Sequence, residues 1–176
     1  MLRKVGKPIA LIGLGIVLAG AAWAHSDEAN EFGFGHPGMM SDITRTVDVD
    51  MMDSTFNHKA IDIKPGETIR FMLHNRGELP HEFAIATPAM HKEHQEEMMN
   101  IMGMMETPGM GMGSGMGPGM MSALEGEHED PNSVLLQPGQ SGELIWHFEG
   151  MENIEFACDI PGHYEDGMHG QFMYGQ

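Results

Sequence analysis

The stretch Cys158-Asp159-Ile160-Pro161-Gly162-His163-Tyr164-Glu165-Asp166-Gly167-Met168 holds the only cysteine of the 176-residue chain, a histidine five residues on and a methionine five beyond that. One thiol, one imidazole and one thioether therefore share a single loop. A second imidazole stands upstream at His81, in Leu79-Pro80-His81-Glu82-Phe83. His81, Cys158 and His163 with a weak axial Met168 make the donor mixture of a type 1 copper site. Thiolate and thioether are soft and suit Cu(I), whereas imidazole suits both oxidation states. The competing reading is a buried, inert thiol beside an unrelated turn histidine.

Working outward, both ends of this set are bounded by strand-like runs. Thr44 to Asp50 alternates polar and apolar residues, and Ala60-Ile61-Asp62-Ile63 repeats the pattern. Pro65-Gly66-Glu67 reads as a turn, followed by a strand over Thr68 to Asn75 with Ile69, Phe71 and Leu73 on one face. Arg76-Gly77-Glu78 turns again, and Phe83-Ala84-Ile85 extends the chain directly after His81. In the C-terminal part, short strands are expected at Val134-Leu135-Leu136, Gly142 to Phe148, Ile154 to Cys158 and Gly170 to Tyr174. Many short strands separated by turn signals predict an all-β sandwich. The strand ending at Cys158 delivers the thiol, and Pro161-Gly162 tightens the loop before His163.

The turn Pro-Gly-Glu-Thr, the run Asn75-x-Gly77-x-x-x-His81 and the spacing Cys158-x4-His163-x4-Met168 together resemble the cupredoxin family. The resemblance spans roughly Thr44 to Phe83 and Asn132 to Met173. It implies a cupredoxin-like Greek-key β-sandwich over residues 44–176, with one type 1 copper held by His81, Cys158, His163 and Met168. Two features depart from the family pattern. Many simple members carry Asn after the first ligand histidine, where this chain has Glu82. The Cys158–His163 gap is longer than in plastocyanin-like members and matches rusticyanin-like ones. A carboxylate or a rearranged hydrogen bond near the thiolate is expected to alter reduction potential and colour. His58, His74, His147 and His169 are not assigned to the metal.

The chain opens with Arg3, Lys4 and Lys7, an apolar run over Ile9 to Ala21, and Ala22-Trp23-Ala24. That order predicts a signal peptide over residues 1–24, cleaved before His25, and a periplasmic protein with no membrane segment of its own. The alternative is an uncleaved anchor, for which the apolar run is short. Cleavage removes three of nine basic residues and none of 26 acidic ones, leaving six against 26 and a net charge of −20. Such a surface repels nucleic acid and attracts cations, including copper ions and a basic redox partner. A lone thiol is a liability in an oxidising compartment unless a metal holds it.

Residues 25–43 read as a flexible arm with an ordinary frayed terminus; the alternative is that a free amino terminus beside the His25 imidazole chelates Cu(II) as an accessory site. Residues 87–130 form an insertion. Between Met90 and Met121 lie eleven of the chain's twenty methionines, with Ile101 the only branched aliphatic residue. His91 to Met105 has helix-compatible composition, and His91, His94, Met98, Met102 and Met105 fall at spacings that share one helical face. Pro108 to Met121 alternates Met and Gly and favours neither helix nor strand. A Met stripe is ordinarily core, but a thioether-rich mobile chain also suits additional, weakly bound Cu(I).

Periplasmic copper-tolerance cupredoxins share this signal peptide, acidic surface and Met-rich stretch. The function expected is therefore capture, buffering or redox handling of copper. The alternative is one-electron transfer between periplasmic redox partners. No second cysteine and no His-x-His pair is present to build the copper cluster that oxygen reduction needs, so the chain is not expected to be an enzyme.

Overall fold

The computed structural model describes residues 32–105 and 130–175, with the side chains of 101–105 left aside. The expected signal peptide, His25 and the Gly-Met half of the expected insertion lie outside the described residues. Ten strands form two five-stranded sheets. The first contains β1 (Gly35–Pro37), β2 (Arg45–Met52), β3 (Thr55–Phe56), β5 (Thr68–Asn75) and β8 (Ser141–Phe148), in the order β1-β8-β5-β2-β3. The second contains β4 (Ala60–Ile63), β6 (His81–Ala86), β7 (Ser133–Leu136), β9 (Glu155–Ala157) and β10 (His169–Tyr174), in the order β4-β10-β9-β6-β7. β2 pairs with β5 and β4 with β10 in parallel; the other pairs are antiparallel. Every sheet pairing except β2–β3 joins strands that are not consecutive or are separated by a long excursion, as a Greek-key sandwich requires.

The alternation legible in the sequence produces this arrangement. In β5, Ile69, Phe71 and Leu73 are fully buried while Arg70, Met72 and His74 are half-buried on the other face. The register sets Ile69 opposite Trp146 and Phe71 opposite Leu144, so two apolar faces coincide. Between the sheets, Phe56, Phe71, Phe83, Phe148, Phe156 and Phe172 pack with ring centroids 5.1–6.3 Å apart, edge-on or tilted except for the stacked pair Phe83–Phe156. Within the stretch expected to be an arm, Gly35–Pro37 pairs with β8 and Phe34 is buried against Trp146.

β6 is buried on both faces. His81, Phe83 and Ile85 alternate with Glu82, Ala84 and Ala86, so the two sets point opposite ways. Phe83 and Ile85 enter the core. The other face lies under α1 (Pro88–Met105), the helix expected in the first half of the insertion. Met98 is 1% exposed and belongs to the core, and Met90 packs against it. Among the described residues no helix is long and apolar enough to cross a membrane.

Candidate metal centre

Three side chains converge at one end of the second sheet, where antiparallel β6 begins and β9 ends. His81 opens β6, Cys158 follows β9, and His163 lies in the loop between β9 and β10. One donor atom from each lies within 4.8 Å of the other two. Cys158 Sγ stands 3.3 Å from His163 Nδ1. That is close to the separation of two donors sharing one ion, since bonds of about 2.0 and 2.3 Å at a tetrahedral angle put nitrogen and sulfur roughly 3.5 Å apart.

The loop is held by its own backbone. Cys158 N–H donates to the Met168 carbonyl and Met168 N–H to the His163 carbonyl, at 3.1 and 2.9 Å. His163 N–H closes a turn onto Ile160. Gly162 and Gly167 adopt φ of 91° and 97°, a region that residues with a Cβ rarely occupy, and both reversals of the loop depend on it. Met168 is fully buried at the loop's end, with its carbonyl tied to Cys158.

The protonation pattern fits a metal. His81 Nε2 donates to Asp53 Oδ1 at 3.0 Å, because a carboxylate only accepts. Nδ1 is then left with its lone pair, and this buried atom finds no hydrogen-bond partner among the described residues. Burial lowers the His81 pKa, with Asp53 opposing in part. Burial and the neighbouring His81 lower that of His163. Both rings are therefore neutral, as metal ligation needs. The Cys158 thiol is pushed far up by burial, against the N–H groups of Glu82 and Ile160 that favour the thiolate. The thiolate is thus poorly stabilised by protein alone, and a cation held by these donors would supply the missing charge. A soft sulfur, two imidazole nitrogens and a buried thioether nearby fit copper.

Asp53 carries no motif in the sequence. It sits 28 residues before His81 in the β2–β3 turn and reaches the site only because the sandwich folds that turn over the end of β6. Its carboxylate also accepts from the N–H groups of Glu78 and Leu79, which shapes the segment leading into His81. Asn75 braces the same segment from inside: its amide donates to the Leu79 and Leu136 carbonyls, and its oxygen accepts from Gly77 N–H.

Glu82 meets the thiol through its backbone, and its carboxylate still acts on the sulfur through space, adding to the burial-driven rise of the Cys158 pKa. Its backbone N–H, 3.4 Å from Cys158 Sγ, is what faces the sulfur. The carboxylate turns to the opposite face of β6, where Oε1 lies 3.3 Å from His94 Nε2 and Oε2 accepts from Asp159 N–H. Burial alone would lower the His94 pKa, but the Glu82 carboxylate, aided by Asp159 and Asp130, outweighs this and raises it to about 9.

The remaining histidines and methionines are accounted for as follows. His91 Nδ1 lies 2.8 Å from Asp159 Oδ2, with both residues buried, and Met98 is core; the structure gives both packing roles between α1 and the sheet. Of the stripe expected on α1, only His94 faces a cluster of metal-binding donors among the described side chains. His25 and the side chains of Met102 and Met105 lie outside them. His58, His74 and His147 bond to Asp48, Ser141 and Thr68, away from the cluster. His169 stacks on Tyr164 with ring centroids 4.6 Å apart.

Comparison with known proteins agrees with this geometry. A profile of the copper-binding proteins of the plastocyanin/azurin family matches residues 43–174. The copper-resistant cuproprotein CopI of Pseudomonas aeruginosa is 44% identical over 93% of both chains. A protein of the same name from Rubrivivax gelatinosus is 36% identical, covering 86% of this chain and 79% of its own. Among solved structures, auracyanin B superposes with a TM-score of 0.55 at 15% identity, covering 82% of this chain and all of its own. The reduced auracyanin of Roseiflexus castenholzii gives 0.54 at 17% identity, over 76% and 99% of the two chains. At these identities the structural likeness concerns the fold alone.

Proposed function

The chain belongs to the copper-binding plastocyanin/azurin family, and on that premise we propose that it is an exported protein of copper tolerance that captures copper at His81, Cys158, His163 and Met168 and handles its redox state. The observation that carries this reading is the convergence of one thiol and two neutral imidazoles, with His81 Nδ1 buried and unpartnered beside them. Copper bound there would supply reversible one-electron chemistry. The protein's part is to hold the donors. Asp53 keeps the His81 proton on Nε2, and the Glu82 N–H supports negative charge on sulfur. Two glycine reversals and the β9–β10 register fix the loop, so its donors need little movement on binding.

The copper-resistance names of the relatives, at 44% and 36% identity over most of their length, support the tolerance role. The basic and apolar start of the chain supports export to the periplasm. In this reading copper is bound and passed on, with no other substrate turned over.

Two measurements test it. Native protein loaded with Cu(II) should show an intense visible absorption that Cys158→Ala abolishes; survival of that band would remove Cys158 from the ligand set. A strain lacking the gene should be copper-sensitive and be rescued by the native chain but not by Cys158→Ala. Unchanged growth on copper would overturn the tolerance role.

A further inference from the structure

On the opposite face of β6 from the Cys158 cluster, Glu82, His94 and Asp159 bring one donor atom each within 4.8 Å of one another. We propose that these three residues form a second metal site, taking a divalent transition-metal ion through one nitrogen and two oxygens.

The donor set and its spacing carry the assignment. His94 Nε2 and Glu82 Oε1 are 3.3 Å apart. Charge-assisted N–H···O bonds are typically about 2.7–2.9 Å. Two donors bound at about 2.0–2.2 Å to one tetrahedral ion stand roughly 3.4 Å apart. Glu82 and Asp159 are each 1% exposed. Two carboxylates buried this deeply require compensating positive charge; protonated His94 supplies it beside Glu82 without an ion, and an ion binding there would displace that proton and free Nε2 as a ligand.

The supporting groups are in place. Asp159 Oδ2 faces His91 Nδ1 at 2.8 Å, and Oδ1 accepts from Gln95 at 3.0 Å, so the carboxylate is oriented with lone pairs to spare. A cavity of about 280 Å³, whose lining includes His94 and Asp159, opens from the solvent beside them. Glu93, Glu97 and Asp130 also line it, giving a cation an attractive entry path. With no sulfur among the three donors the site suits a borderline divalent ion over Cu(I), and Cu(II) ahead of Zn(II).

The two sites share their backbone. Glu82 follows His81 and Asp159 follows Cys158, so each strand end places one donor in each cluster. The Glu82 N–H that faces Cys158 Sγ belongs to the residue whose carboxylate enters the second site. An ion there would place positive charge behind the thiolate. This assignment stands whether or not the chain serves copper tolerance.

Zn(II) is the probe, because it has no redox chemistry or visible spectrum of its own. The full chain, loaded with one copper, is titrated with Zn(II) while the visible band and the reduction potential are followed. A crystal exposed to Zn(II) is measured at the zinc absorption edge. We expect the band to move and the potential to rise on zinc uptake, the midpoint to shift at least tenfold higher in His94→Gln, and anomalous density between Glu82, His94 and Asp159. A band that zinc leaves unmoved, an equal response in native and His94→Gln protein, or density confined to other residues would overturn the site. If His94→Gln does not hold copper, the anomalous map of the native crystal decides by the same two outcomes.

Discussion

At the scale of single residues, Asp53 shows how one side chain controls another. The imidazole of His81 offers either nitrogen to a metal, and the carboxylate opposite Nε2 selects Nδ1. Asp53→Asn keeps the size but presents an amide that bonds either tautomer. Outer partners of this kind are worth about 10–100-fold in metal affinity. We therefore expect Asp53→Asn to weaken copper binding by about that factor in chelator competition, with a broadened or shifted visible band. Unchanged affinity would show that the sandwich alone orients the ring. Gly77 matters for a different reason: a Cβ there would stand 2.7 Å from His81 Nε2 and 2.2 Å from Asp53 Oδ1, inside the hydrogen bond that does the orienting.

At the scale of elements, α1 lies against the second sheet. It closes the outer face of β6 with one methionine in the core and two histidines on buried carboxylates. Met98 and its neighbour Met99 are chemically identical but 1% and 52% exposed. Met98→Ala should cost about 2–5 kcal/mol, and Met99→Ala within about 0.5 kcal/mol. Chemical denaturation of the metal-free protein checks both; equal losses would mean that the helix is not docked as described. The His94–Glu82 contact adds a pH signature. The folded pKa of His94 is about 9, above its ordinary value of 6.5. The contact therefore stabilises fully below pH 6.5, and its contribution falls away as pH rises through about 9. The melting temperature of the native metal-free protein should approach that of His94→Gln over this window. A gap that stays constant from pH 6 to 10 would refute the ion pair.

At the scale of the whole molecule, the two halves of the Met-rich stretch are open to separate tests. The helix is anchored in the core through Met98, so removing it would disturb the fold. Residues 106–129 contribute five further methionines at 110, 112, 116, 120 and 121. Replacing 106–129 with a short Gly-Ser linker should leave the visible band intact and lower the copper bound per chain. A stoichiometry of one in the native protein, unaffected by the replacement, would favour the electron-transfer role over tolerance. The acidic surface acts at this scale too, drawing cations toward the protein through a field that salt screens.

Local order was legible wherever a short-range pattern controls it. The period-two runs of β2, β4, β5 and β8, the turn at Pro65-Gly66, and the helix over His91 to Met105 all follow from neighbours in sequence. The convergence of His81, Cys158 and His163 was legible because copper demands an uncommon mixture of donors. The role of Asp53, the fate of Met98 and the meeting of Glu82, His94 and Asp159 were not. A turn aspartate, a helix methionine and scattered carboxylates are common everywhere in sequences. They acquire meaning only when strand pairing and helix docking bring residues 12 to 77 positions apart into contact, and electrostatics and packing act on distance through space.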